Sequence, residues 1–242
     1  MPLVIGKKHL VMKSTTRILL GIVLTLGGIF ALVQPTVANS PINQQQIGTS
    51  SQQNIQNLFN RGVTKTQHGD YQGAIADFNQ VIALNPQYIE AYCNRGMAHY
   101  GLGNFQQAIA EFNLALEVAP HHADAFNRRA IVFAEQGNLD RALTDFDRAL
   151  KFDASFIDAY YNRGKARTEI GNYQGAITDY NTAIKLDPNL AEAYGNRGFL
   201  RAQLGNKQEG LKDLQHAAQL FLDADNLSGY QQTMAFIEMI KQ

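Results

Sequence analysis

A single cysteine, Cys93, occurs in the whole chain, so no intramolecular disulfide framework can staple it. It does not follow the apolar segment near the N-terminus, which excludes a lipid-attachment site there, and it reads as a small apolar filler. An excess of basic charge is missing too. Lys7, Lys8, Lys13 and Arg17 fall within 1–38 without an acid among them, and the remainder carries more acids than bases. A nucleic-acid binder shows the opposite bias, so no nucleic-acid partner is expected. Motifs for chemistry are lacking as well. There is no phosphate-binding loop, no dinucleotide glycine fingerprint and no HExxH. His121-His122 falls between expected helices, and two adjacent histidines alone make a poor metal site, so neither a metal nor a cofactor is expected. The acids are plentiful, but their spacing follows a repeat. Nothing marks an enzyme.

The longest apolar run, 18–33, is uncharged and shorter than the roughly 20 residues that span a bilayer comfortably. Basic residues precede it, Gln34-Pro35 breaks it, and Thr36-Val37-Ala38 offers small residues for cleavage. Basic, apolar, small is the order of a secretory signal. Residues 1–38 are therefore a signal peptide cleaved after Ala38, or else an uncleaved anchor with its basic end in the cytoplasm. Both place the body on the non-cytoplasmic side: exported, in a periplasm, lumen or extracellular space, with membrane contact only through this segment. Residues 39–54, rich in Gln, Asn and Ser, read as a disordered linker.

What the chain has in quantity is repetition. Five copies of one unit begin at Ile55, Ile89, Ala123, Ile157 and Ala191. Each holds two helical segments. The first carries a large residue (Leu58, Tyr92, Phe126, Tyr160, Tyr194), then a small one four positions on (Gly62, Gly96, Ala130, Gly164, Gly198). Gly69, Gly103, Gly137, Gly171 and Gly205 mark the turn, each followed by Asp or Asn able to cap the next helix. The second segment repeats a small residue, an aromatic or Leu, and a small residue at i, i+4 and i+7, as in Ala74, Phe78 and Val81. Pro86, Pro120 and Pro188 end it. In the third copy Ala154 replaces proline, and Asp153 and Ser155 are expected to restart the chain by capping.

These positions resemble the tetratricopeptide repeat, in a protein of bacterial type. The resemblance covers all five copies, 55–224. It implies an all-α fold, an α-solenoid of five helix-turn-helix repeats. Residues 225–242 are expected to add a C-terminal capping helix, with Tyr230, Met234 and Ile237 on one face. The fifth copy weakens after Gly205, as a terminal repeat should.

One ladder departs from the family. Arg61, Arg95, Arg129, Arg163 and Arg197 stand where the family has leucine, and Asp77, Glu111, Asp145, Asp179 and Asp213 accompany them in the second segment of each copy. Arginine can bury its stem when its head is paired, so the two rows are expected to pair along the stack. The other reading of the row is a stripe that binds phosphate or carboxylate.

By the same resemblance the first helices line a concave groove. The inward positions that stand out are Phe59, Val63, Cys93, Met97, Tyr100, Asn127, Ile131, Tyr161, Lys165 and Phe199. The first half is the more apolar, which suits a hydrophobic or helical peptide. Glu90, Asp124, Asp158 and Glu192 form an acidic row along one edge. The carboxylate clamp of the family's chaperone-binding branch is not expected, because Phe59 and Asp124 stand where it needs lysines. Asn60, Asn94, Asn162 and Asn196 either bind a peptide backbone or serve hydrogen bonds inside the repeats. The expected function is a non-enzymatic protein–protein interaction scaffold that holds a segment of a protein or peptide partner in the groove, within an extracytoplasmic assembly. The alternative is a membrane-anchored structural subunit that docks by its convex surface.

Overall fold

The computed structural model describes residues 44–241, and these form eleven helices. They run α1 Gln44–Gln67, α2 Tyr71–Leu84, α3 Ile89–Gly101, α4 Phe105–Val118, α5 Ala123–Glu135, α6 Leu139–Phe152, α7 Ile157–Glu169, α8 Tyr173–Leu186, α9 Ala191–Gln203, α10 Lys207–Asp223 and α11 Leu227–Lys241. The five repeats thus become five antiparallel pairs, and α11 closes the end. The segment at 18–33 lies outside the described residues, and among those described no helix is long and apolar enough to cross a membrane.

The expected linker over 39–54 needs correction, since α1 begins at Gln44, well before the first repeat opens at Ile55. Glutamine is a good helix former, and a helix already nucleated by tertiary packing extends at little cost. Gln53 donates to Asn57 Oδ1 at 3.1 Å and Gln56 to Asn60 Oδ1 at 2.8 Å, one helical turn apart.

Each turn inside a pair is built alike. The five glycines have φ between 73° and 93°, the left-handed region where a Cβ would be strained. The next residue then donates its N–H back into the preceding helix, as Asn104 does to the His99 carbonyl at 2.9 Å and Asn172 to that of Arg167 at 2.8 Å. Asp70, Asn138 and Asn172 also accept an N–H from the first turn of the following helix; Asn104 and Asn206 do not. At the exceptional Ala154, Asp153 Oδ1 accepts from both the backbone N–H and the hydroxyl of Ser155, at 2.8 and 2.6 Å. Asn85 and Asp187 accept in the same way from the N–H two residues on, at 3.1 and 2.9 Å, so this bond recurs in turns that carry proline.

The core is a row of rings against small residues. Phe78, Phe112, Phe146 and Tyr180 are at most 1% exposed. A Cβ on Gly62, Gly96 or Gly164 would lie 2.7–2.8 Å from the ring of Phe78, Phe112 or Tyr180. The glycines therefore make room for these three rings, while in the third repeat Phe146 packs in one cluster with Ala130. In the fifth repeat Leu214 replaces the ring and the backbones close further, so that a Cβ on Gly198 would meet the Gly210 carbonyl oxygen at 2.8 Å.

Every even-numbered helix packs between two odd ones, whereas odd helices also touch each other: α1 with α3, α3 with α5, α5 with α7, and α9 with α11. The odd layer is the tighter one, so it lies on the inside of the curve. At the end, α11 buries Thr233 and Ile237, Tyr230 packs on Ala217 and Phe221, and Met234 is half-buried.

Candidate functional site

Along the inner layer the predicted groove residues divide into two groups. Phe59 is consumed by packing, its ring 5.8 Å from that of Phe78 and 5.1 Å from that of Tyr88. Val63 packs on the Ala74–Phe78 cluster, and Met97 and Tyr100 on Ala108, Phe112 and Val132. Cys93 and Asn127 are 1% and 4% exposed, so the expectation that they face a partner is wrong. Both lie between successive inner helices: Cys93 packs on Ala115 and Ala125, and Asn127 accepts from Asn162 at 3.3 Å. The apolar first half is therefore largely filled from within. Burial also holds the Cys93 thiol at about 12, with the Asp124 carboxylate adding to the effect, so the free side chain is a thiol.

The second group lines open clefts. Ile131, Ala134 and Glu135 of α5 face Asn162, Lys165, Ala166 and Glu169 of α7 across a cavity of about 320 Å³ floored by Phe146. Lys165 and Glu169 border the next cavity, about 200 Å³, with Thr168, Tyr180, Asn196, Phe199 and Leu200. Phe199 in turn borders a third of about 290 Å³, reaching Met239 and Ile240 of α11. Each cavity shares lining residues with the next, so the three follow one another from the third repeat to the cap. Tyr161 stands beside it, half-buried, with Lys165 Nζ 6.0 Å from its ring centre and the Tyr180 ring 6.0 Å away. Burial raises the phenols of both Tyr161 and Tyr180, the latter to about 12, so both are neutral hydrogen-bonding groups near neutral pH.

The groove has charge of both signs. Lys165 lines the first cavity together with Glu135 and Glu169, which end α5 and α7. Glu135 also interacts with the Tyr100 hydroxyl of the preceding repeat, where burial and this carboxylate together raise the phenol above its ordinary value. Of the acidic edge, Asp124 is already paired with Arg128 at 2.6 Å. The recurring asparagines serve the array itself: Asn94 donates to the Glu90 carbonyl at 2.7 Å, Asn196 to the Tyr161 hydroxyl at 3.4 Å, and Asn60 accepts from Gln56.

The arginine row pairs with the acid row throughout. Arg61 binds Asp77 at 2.8 and 2.6 Å, Arg129 Asp145 at 2.7 and 2.9 Å, Arg163 Asp179 at 3.0 and 2.6 Å, and Arg197 Asp213 at 2.8 and 2.6 Å. Arg95 makes the same contact with Glu111 through one nitrogen. A further partner completes the contact in the later repeats. The remaining nitrogen reaches back to the preceding repeat, where Asn79, Asn113, Asp147 and Asn181 accept from Arg95, Arg129, Arg163 and Arg197 at 2.6–2.7 Å. Each of those guanidinium groups also lies 5.2–5.6 Å from the ring of the aromatic three residues earlier. Held by two repeats at once, Arg95, Arg129, Arg163 and Arg197 act as rivets between repeats rather than as an open anion-binding stripe.

Two family models match the sequence, one described as TPR repeat over residues 62–103 and 164–205, the other as Tetratricopeptide repeat over 93–155. Together they span more than half of the chain. The chain belongs to the tetratricopeptide-repeat family. No curated protein matches it with significance. Among solved structures, the tetratricopeptide array is similar to TTC0263, a thermophilic TPR protein of Thermus thermophilus (19% identity, TM-score 0.63, 75% of this chain and 99% of that one). It is also similar to MamA from Desulfovibrio magneticus RS-1 (19%, 0.60, 71% and 97%). A third, YrrB, is a TPR protein with an unusual peptide-binding site (19%, 0.54, 72% and 90%). At these identities the likeness is one of fold. In this tetratricopeptide array the open cavities lie in the half containing Ile131, Lys165 and Phe199.

Proposed function

We propose that the protein is a non-enzymatic interaction scaffold that holds a segment of a partner protein along the concave face of repeats three to five. The observation that carries this reading is the succession of three cavities with shared lining residues from α5 to α11. Repeat arrays use such extended concave surfaces for binding. The walls combine apolar anchors, Ile131 and Phe199, with Lys165, Glu135 and Glu169 at the rim. Apolar anchors supply affinity, while the charges fix orientation and choose among partners. YrrB carries a peptide-binding site on a similar array, which supports the same use of the fold here.

Residues 1–38 read as a signal or anchor, so the scaffold belongs on the non-cytoplasmic side, in an assembly it helps to hold together. The test is affinity capture with residues 39–242 from extracts of the source organism. The double variant Ile131→Asp, Phe199→Asp should lose the captured partner. Leu114→Asp, on the outer helix α4, should keep it. The opposite result would favour docking by the convex surface.

A further inference from the structure

The junction between the second and third repeats differs in kind from the other three. At each junction, three equivalent positions meet: an inner-helix residue, the residue before the next inner helix, and the second residue of that helix. The first junction holds Phe59, Tyr88 and Glu90, the third Asn127, Phe156 and Asp158, the fourth Tyr161, Leu190 and Glu192. In all of these the middle position is a large apolar-bodied residue packed into the core: Tyr88 against Phe59, Phe156 against Phe126 and Ala159, Leu190 against Ile184 and Ala193. At the second junction the set is Cys93, His122 and Asp124. The first two positions have both changed to metal-ligating side chains, and the two lie close together.

Cys93 Sγ, a ring nitrogen of His122 and a carboxylate oxygen of Asp124 all lie within 4.8 Å of one another. Thiolate, imidazole and carboxylate are the ligand set of a borderline-soft divalent ion. We propose that Cys93, His122 and Asp124 form a binding site for zinc or a similar divalent ion, clamping the second repeat to the third. With metal–ligand distances of about 2.0–2.3 Å, the three atoms would draw in by about 1 Å. His122 and Asp124 lie at the entry to α5, where His122 is the N-cap.

The existing hydrogen bonds, together with the proton that burial keeps on Cys93, define the cost. His122 Nδ1 accepts the Ala125 N–H at 3.2 Å, and Arg128 Nε donates to Asp124 Oδ2 at 2.6 Å. Asp124 can keep its arginine on Oδ2 and offer Oδ1 to the ion. A metal bound through Nδ1 displaces the cap directly, and one bound through Nε2 favours a proton on Nδ1, so the cap hydrogen bond is given up. One cap is a small loss beside the affinity of a structural zinc site. On binding, the Cys93 thiol releases its proton to solvent. Thiolate and carboxylate then neutralise the dication in a site whose sulfur is buried. Three protein ligands leave a fourth position for water or an outside donor.

Cobalt is the probe for the experiment, because a thiolate bound to Co²⁺ gives a ligand-to-metal charge-transfer band and Cys93 is the only thiol in the chain. The full chain, titrated with Co²⁺, should show that band saturating at a single equivalent and bleached by Zn²⁺. Cys93→Ser should abolish the band. His122→Phe places at this junction the residue that Phe156 already is at the next, so it should fold, checked by helical circular dichroism. It should also weaken binding beyond the ~10–100-fold that loss of an outer-shell partner costs. Absence of the band in the unmodified chain, or an unchanged Co²⁺ affinity in folded His122→Phe, would overturn the proposal. So would Zn²⁺ binding that survives Cys93→Ser at full strength.

Discussion

Replacing Arg129 by alanine tests the rivet ladder where a deeply buried acid has little back-up. In the first, fourth and fifth repeats a second cation backs up the pair: Lys65 reaches Asp77 at 2.9 Å, Arg167 reaches Asp179 at 2.8 Å, and Arg201 reaches Asp213 at 2.8 Å. In the third repeat that position is Phe133, and the other cation near Asp145 is the exposed Arg148 at 3.7 Å. The Asp145 side chain is 4% exposed and that of Arg129 14%. Arg129→Ala therefore leaves a buried carboxylate nearly uncompensated, breaks the bond to Asn113 and uncovers the Phe126 ring. Removing one partner of a buried pair costs ~3–5 kcal/mol. Arg163→Ala should cost less, about half as much, because Arg167 still holds Asp179. The assay is urea denaturation followed by circular dichroism, comparing midpoints and slopes of the two variants. If Arg129→Ala lost no more than Arg163→Ala, burial and redundancy would not set the cost, and the ladder would need another explanation.

Three further outcomes follow from other contacts. Gly210→Ala should destabilise by ~1–3 kcal/mol despite the helix propensity it gains. Its Cβ would meet the Gly198 carbonyl oxygen at 2.6 Å and the Ala202 nitrogen at 2.8 Å, both backbone, and thermal melting measures the loss. Burial lowers the affinity of His99 for its proton, and its Nδ1 is buried without a partner among the described residues. Its neutral form is favoured by folding, so stability is full above about pH 6.5 and falls as pH drops below it. His99→Phe, copying Phe133, should remove that slope in melts taken across the same range. The hydrogen bond from Arg61 depresses Asp77, so its contribution is present above about pH 4 and is lost as pH falls through the lowered value. Arg61→Gln should shallow the acid limb of a stability–pH profile.

The register of the repeats was legible in sequence because each core position recurs at the same place in every copy, and a turn glycine or a ring beside a glycine admits few alternatives. The pairing of Arg129 with Asp145 was legible for the same reason. The backward bonds were missed, though their signal was present: Asn79, Asn113, Asp147 and Asn181 recur two positions after the acids. The row stops at Gln215, where no further arginine follows. The open part of the groove was misplaced because exposure depends on neighbours. Phe59 looks like a ligand anchor until Tyr88, at the end of the same repeat, covers it, and Cys93 until α5 does. The meeting of Cys93 with His122 was hidden by a separation of nearly one repeat, which adjacency in sequence cannot show. Helix before Ile55 was hidden by composition, since a glutamine-rich stretch has no apolar face to mark it.

If a partner segment lies along the cavities from Ile131 to Phe199, site-specific photo-crosslinking will find it there. Crosslinking residues would be placed singly at Ala134, Lys165 and Ala202 inside the groove, and at Gln80 and Leu114 on the outer helices. All three inner positions should then capture one partner through neighbouring residues of a single segment, with the outer positions silent. Crosslinks confined to Gln80 and Leu114 would instead place the partner on the convex surface and leave the groove without a role.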